Sequence, residues 1–453
     1  MLEKLHKKLG DFWWNSLMIF CACRAADLMN AFVGLWLVPK HVEPQELGAV
    51  APLANFANFL AIPVAAFANT FRNELTRLSI AKEFGRLKSL MRGVFAAAAA
   101  FLFVSIAAAR YVLPAFLESI RIVEGSLGIV IIAASFVSAV APVYANALQA
   151  LKKFKTQSLL SIAGAPVRLL TMLAAMPFRA LTGYFVGQAS TPAFSIVASV
   201  VALRKELSVP AEPYWNRETV KKFSALLALF LSWGVFGGLC GLVESTVVRQ
   251  KLPDLDSAGY YMATRFSEIA SYLYAAIIFA FFPFAAELAH DARARSRLIL
   301  KSTAVNLAFC SGIALASFFL ARPFLEFLPH GDSYSAYWWA IPWLIVATGI
   351  TSLHGFFTTS EIAAGRFAFL KWALPLDLAY AAALLLAANY GRFAGSIPAA
   401  WSRFLETHGI RSLDAMLWWM TAGAVLKSAA CLAAMLFDAR RQPKNAQTRL
   451  ETK

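Results

Sequence analysis

The sequence predicts an all-α, polytopic membrane protein with twelve transmembrane helices in two pseudo-symmetric six-helix lobes. Three observations carry that prediction. The 453 residues are 59% hydrophobic and 15% charged, with a mean hydropathy of +0.60, whereas soluble domains run at about 45–50% apolar and about 25% charged. Apolar stretches long enough, at about 1.5 Å per residue, to cross a hydrocarbon layer of about 30 Å recur twelve times. Lys and Arg alternate between the connecting segments, with 28 on one side, 10 on the other, those at span ends counted with the adjoining segment, and four deeper inside the spans (Arg24, Arg168, Arg265 and Lys427). Cytoplasmic loops carry the basic excess, which places both termini in the cytoplasm of a multi-pass inner-membrane protein. The net charge of +16 is absorbed by those loops, so it does not argue for nucleic acid.

In order, the spans are 13–38, 47–71, 90–113, 125–151, 158–178, 181–203, 223–248, 259–284, 300–320, 337–359, 371–390 and 414–436. The start, MLEKLHKKLGDFWWNSLMIF, is basic and then apolar like a signal sequence. Arg24 and Asp27 interrupt the apolar run, so it reads as an uncleaved first span with Trp13 and Trp14 at the interface. The polar, basic segment RKELSVPAEPYWNRETVKK at 204–222 carries Pro210 and Pro213 and reads as a hinge or linker. It separates an N-terminal lobe, 1–206, from a C-terminal lobe, 223–436, with the linker proper at 207–222 and a basic cytoplasmic tail at 437–453. The segment 391–413 is the longest outer one, and Trp401 suits a short interfacial helix there.

The two lobes look related. Gly48 and Gly259 open the second span of each half and Phe71 and Phe282 close it, 211 residues apart. LQALKKF ends the fourth span as EIAAGRF follows the tenth, with Lys153–Phe154 and Arg366–Phe367 213 apart. Six spans per half give both halves one orientation, a parallel repeat of the kind that holds substrate near the midplane.

Charges inside spans are costly, so they face a partner or a wet cavity. The first span has Arg24, Asp27 and Asn30 near one face, and the second has Asn55 and Asn58 three apart, followed by Pro63. The fifth has Arg168 after Pro166, and the seventh has Glu244 and, near its outer end, Arg249. The eighth has Arg265 and Glu268, which share a helix face with Tyr261 and Tyr272. The eleventh has Asp377, and the twelfth has Asp414 at its start and Lys427. These residues either satisfy one another or line a common cavity. The cavity reading takes Arg24, Arg168, Arg265, Lys427, Asn55 and Asn58 as substrate contacts, because a basic chamber suits an anion and guanidinium forks suit phosphate. Asp27, Glu244 and Glu268 are then ion carriers or counter-ions.

Other chemistry is thin. The five cysteines (Cys21, Cys23, Cys240, Cys310 and Cys431) lie in apolar segments and read as buried free thiols. The six histidines lack metal-ligand spacing, and no phosphate-cradling glycine loop is present, so no cofactor, metal or direct ATP drive is expected.

The stretch GYYMATRFSEI at 259–269, the PF at 283–284, AAGRFAFL at 363–370 and ELGAVAPLANFANF at 46–59 resemble the polysaccharide (O-antigen type) flippases. That family belongs to the multidrug, oligosaccharidyl-lipid and polysaccharide exporter superfamily. The resemblance covers most of the chain. It implies two six-helix lobes that move a polyprenyl-diphosphate-linked oligosaccharide between leaflets by alternating access, with no catalysis. It also implies membrane lipids, glycosyltransferases and a glycan polymerase as partners. Basic cavity residues of such flippases meet the diphosphate or acidic sugars, and Arg24, Arg168, Arg265 and Lys427 match that pattern in kind. A cation-coupled multidrug exporter of the same superfamily is the rival expectation. A membrane-embedded glycan polymerase using Arg392, Arg403, His408 and Arg411 in the outer segment is a third.

Overall fold

A computed structural model describes residues 25–122, 125–288, 291–393 and 399–441. Arg24, Cys21 and Cys23 lie outside them. Among the described residues there is no strand. Lipid offers backbone groups no hydrogen-bond partner, so a spanning segment satisfies them within itself as a helix.

The long helices follow the twelve expected spans. The first, α1, occupies 25–41, and α2 to α6 are Val50–Ile80, Phe84–Ser119, Gly125–Ala150, Phe154–Ala175 and Ala180–Ala202. The remaining six, α7 to α12, are Arg217–Lys251, Asp254–Glu287, Ala292–Phe327, Ala340–Ala363, Leu370–Ala388 and Leu413–Arg441. Ten of them are long and apolar enough to cross a membrane. Proline does not interrupt them: Pro63 sits inside α2, Pro166 inside α5 and Pro375 inside α11. α1 contains a π-helical stretch, Val33–Leu37, in which the Val38 N–H reaches back to the Val33 carbonyl.

The chain divides into two compact units, Met1–Gln250 and Lys251–Lys453. α7, which the repeat pairs with α1, therefore keeps company with the first unit. It packs closely on α2, because a Cβ on Gly234 or Gly238 would come within 2.6 Å or 2.5 Å of the Ile62 side chain. The first unit's core gathers Phe71, Leu75 and Leu78 of α2 with Leu87, Leu90 and Val94 of α3. In the second unit α10 is central, packing on α8, α9 and α12.

Backbone hydrogen bonds carry the repeat. Leu151, Lys152 and Lys153 donate to the carbonyls of Ala147, Gln149 and Leu148. Ala364, Gly365 and Arg366 donate to Ser360, Ile362 and Glu361, the same bonds 213 residues on. Lys152 and Gly365 are both left-handed, with φ of 56° and 66°. This is the left-handed cap that lets a helix satisfy its last carbonyls.

The linker differs from the expected free hinge. Residues 208–216 lie as a strap along the start of α3. Lys88 Nζ donates to the Val209 carbonyl at 2.9 Å, the Glu212 N–H donates to the Gly85 carbonyl at 3.2 Å, and Ser89 Oγ donates to the Glu212 carbonyl. Trp215 covers Gly93, where a Cβ would come within 2.5 Å of the indole, and meets Phe71 edge-on at 5.5 Å. Burial, with a hydrogen bond to Glu74, pushes the Tyr214 phenol above its ordinary range. Composition marks this segment as polar loop; its docking depends on backbone carbonyls and one aromatic, which composition does not reveal.

Candidate functional site

In the first unit the polar faces of α1 and α5 meet. Arg168, on α5 just past Pro166, donates from Nη1 to Asn30 Oδ1. Asp27 lies three residues before Asn30 on the same helix and is half-buried. Arg24 belongs to the undescribed start, so its expected place beside Asp27 lies outside the described residues.

Asn55 does something simpler than meet a ligand. Its Nδ2 donates to the Gly241 carbonyl at 3.0 Å and Ser245 Oγ at 2.9 Å, which ties α2 to α7. A buried amide left unpaired costs about 1–3 kcal/mol, so the tie accounts for an asparagine here. Asn58, one turn on, is exposed. Glu244 adjoins Ser245 on α7 and is partly buried. Arg249, buried one turn past Ser245 at the end of α7, donates from Nε to the Ile120 carbonyl at 3.0 Å and from Nη1 to the Gln45 carbonyl at 2.9 Å. It caps the end of α3, where helix carbonyls lack partners and a cation is favoured.

Among the described residues of the second unit, three ion pairs bear on the charges that the sequence singles out or hides. On α8, Arg265 Nη1 lies 2.8 Å from Glu268 Oε1 and 2.9 Å from Oε2, and the guanidinium sits 5.0 Å over the Tyr261 ring. The side chains are 20% and 41% exposed, so the acid half of this pair is open. On α12, Lys427 Nζ reaches Asp377 Oδ1 of α11 at 2.7 Å and lies 4.9 Å over Tyr380. This pair is nearly closed, at 16% and 4% exposure. One turn past Lys427, Cys431 Sγ is 3.4 Å from His354 Nδ1 of α10. Between α9 and α10, Arg295 Nη2 meets Glu361 Oε1 at 3.0 Å, both side chains almost wholly buried.

Of the two sequence readings, mutual satisfaction or a common cavity, the first describes the contacts that Arg265 and Lys427 make here. Each has a carboxylate within salt-bridge distance, because an ion at membrane depth is cheapest beside its opposite. Arg265 and Glu268 were readable from a spacing of three. Lys427 and Asp377 lie 50 residues apart, and only their shared depth in successive spans hinted at a pair. Arg295 was missed, since the basic run ARARSR looks like ordinary loop charge. Among the described residues no cluster of His, Cys, Asp or Glu could hold a metal, and Cys240, Cys310 and Cys431 are buried free thiols.

No protein-family model and no curated protein sequence matches the chain. Solved structures do match in fold. An inward-facing multidrug resistance MATE family transporter of the MOP superfamily aligns with a TM-score of 0.63 at 11% identity, over 94% of this chain and 100% of that one. Lipid II flippase MurJ, in an inward closed conformation, aligns with a TM-score of 0.62 at 12% identity, over 95% and 88%. The Vibrio cholerae MATE transporter VcmN, in its bent form, aligns with a TM-score of 0.59 at 14% identity, over 97% and 98%. At such identities the likeness is one of fold: this multi-pass membrane chain has the two-lobe, twelve-helix architecture found in transporters of that superfamily.

Proposed function

We propose that the chain is a flippase that carries a polyprenyl-diphosphate-linked oligosaccharide across the cytoplasmic membrane by alternating access. The fold it shares with both a lipid II flippase and multidrug transporters supports transport in general. The narrower reading leans on one observation, the half-open Arg265–Glu268 pair on α8.

That pair is exchangeable. Arg265 is fixed from behind by Tyr261, while Glu268 faces open space. A diphosphate entering the site offers the guanidinium a better fork than one carboxylate does. Protonating Glu268 frees Arg265 in the same way, which couples anion binding to a proton. Lys427 in the second unit, and Arg24, Arg168 and Asn58 in the first, are the further substrate contacts of this reading, and Asp27 and Glu244 share the coupling role. The sugars remain hydrated, and the polyprenyl tail stays in lipid. Unaided crossing would strip water from every hydroxyl and phosphate at several kcal/mol each. The membrane potential supplies about 2.3 kcal/mol per charge per 100 mV.

The test is transport in proteoliposomes, with lipid-linked oligosaccharide in one leaflet scored by access to an added glycosidase. Arg265→Ala is expected to slow transfer at least tenfold, and Glu268→Gln to keep transfer while flattening its dependence on a pH gradient. No transfer by the unaltered protein under any ion gradient overturns the proposal. The open acid beside an aromatic ring also favours a second reading, a cation-coupled multidrug exporter. Ethidium efflux from the same vesicles, abolished by Glu268→Gln, would establish that one instead.

A further inference from the structure

The second unit carries a cavity of about 590 Å³ that no transport step above uses. It lies where the short helix Ala399–His408 folds against the first turns of α12. This end of α12 is one membrane crossing away from the C-terminal tail. Three aromatic side chains form its floor. Phe404 lies tilted against the His408 ring at 4.8 Å and meets Trp419 edge-on at 6.2 Å. Trp419 is pinned, its indole N–H donating to the His408 carbonyl at 2.8 Å. Trp418 stands edge-on to Trp343 at 5.0 Å and is nevertheless 63% exposed.

The rim is polar and carries both signs. Glu406, Arg411 and Asp414 line it, all exposed, and none forms an ion pair among the described residues. Thr407 and Ser412 add hydroxyls. Ligand sites combine an apolar or aromatic surface with a few convergent polar groups at this size. A lipid tail has no use for three unpaired charges. A diphosphate needs a basic excess, whereas this rim has two carboxylates to one guanidinium, and a drug cation would meet Arg411 beside them. A neutral polyhydroxyl ring uses everything here: its C–H face lies on an indole, where weak C–H contacts and burial both help. Its hydroxyls donate to carboxylates and accept from a guanidinium.

We infer that this aromatic cavity is a binding site for uncharged pyranose units of a glycan on the side opposite the tail. The inference rests on the proposed glycan cargo for its biological sense, though not for its chemistry. Trp418 is the stacking platform, and Glu406, Arg411 and Asp414 grip the hydroxyls. A headgroup arriving at this face would find its sugars held before the lipid moiety lets go.

The experiment uses the full chain in lipid nanodiscs and a panel of neutral gluco-, galacto- and manno-configured trisaccharides, read by saturation-transfer NMR. At least one is expected to bind, with Trp418→Ala weakening it about tenfold, Trp418→Phe retaining most of the affinity, and Glu406→Gln and Arg411→Gln each weakening it severalfold. Melting temperature checks that each variant folds. Brominated phospholipid supplies the opposing outcome. If it quenches Trp418 and no trisaccharide binds, the aromatics are an interfacial belt and the inference falls. Sugar binding without transfer of lipid-linked glycan in proteoliposomes would overturn the proposed function and leave this site standing. Transfer without sugar binding would do the reverse.

Discussion

Arg295 and Glu361 show how differently two ion pairs in one lobe behave. Theirs is closed on all sides, at 4% and 6% exposure, while Arg265 and Glu268 keep an open flank. Breaking a buried pair strands an ion and costs about 3–5 kcal/mol, yet replacing both partners by apolar groups is often neutral or better. Glu361→Gln is therefore expected to lower the melting temperature in detergent sharply, and the Arg295→Met, Glu361→Leu double variant to recover most of the loss. If Glu361→Gln melts like the unaltered protein, the pair carries no stability. At this scale the sequence is legible only where partners are close. A spacing of three set Arg265 beside Glu268 on one helix face, whereas Arg295 and Glu361 are joined by the packing of α9 on α10. Asn55 shows what spacing leaves out: an in-span amide reads as a ligand contact, and its bond to the carbonyl of Gly241, 3.0 Å away, comes from a helix 186 residues on.

Elements were read well in number and less well at their ends. Hydropathy sees the thickness of the hydrocarbon layer, so it marks 90–113, while the helix runs on from Phe84 to Ser119. Lys82 before it and Arg121 after it turn left-handed, which stops the helix at both ends. The paired caps at Lys152 and Gly365 offer a clean test. An L-residue in that conformation costs about 1–2 kcal/mol that glycine avoids. Lys152→Gly is expected to raise the melting temperature and Gly365→Lys to lower it, each by the equivalent of about 1 kcal/mol; equal and unchanged melting for both would show that the backbone relaxes instead. The strap at 208–216 was beyond sequence reading for a related reason: its partners on α3 lie more than 120 residues away, and it offers them largely its own backbone carbonyls.

For the whole molecule, the loop-charge bias predicts one orientation. Single cysteines in a cysteine-free background should be labelled by an impermeant maleimide from the cytoplasm at Ser208 and Lys444. A cysteine at Thr407 should be labelled from the other side. Labelling of Ser208 and Thr407 from the same side would break the even span count. Twelve segments in two lobes were legible, because the bilayer punishes any helix that is too polar or too short. Which charges meet across separate spans was not, because burial and pairing are decided by packing partners far apart in the chain.

The π-helical stretch at Val33–Leu37 has a mechanical corollary. It holds one residue more than an α-turn would, and such stretches often accompany function. Let that surplus residue migrate or melt into ordinary winding, and everything upstream swivels by about 100°. The clasp between Asn30 and Arg168 would open, and Asp27 would be carried round with it. A single slipped carbonyl can thus act as a ratchet tooth, rotating the polar stripe of α1 while the rest of the helix stays in place.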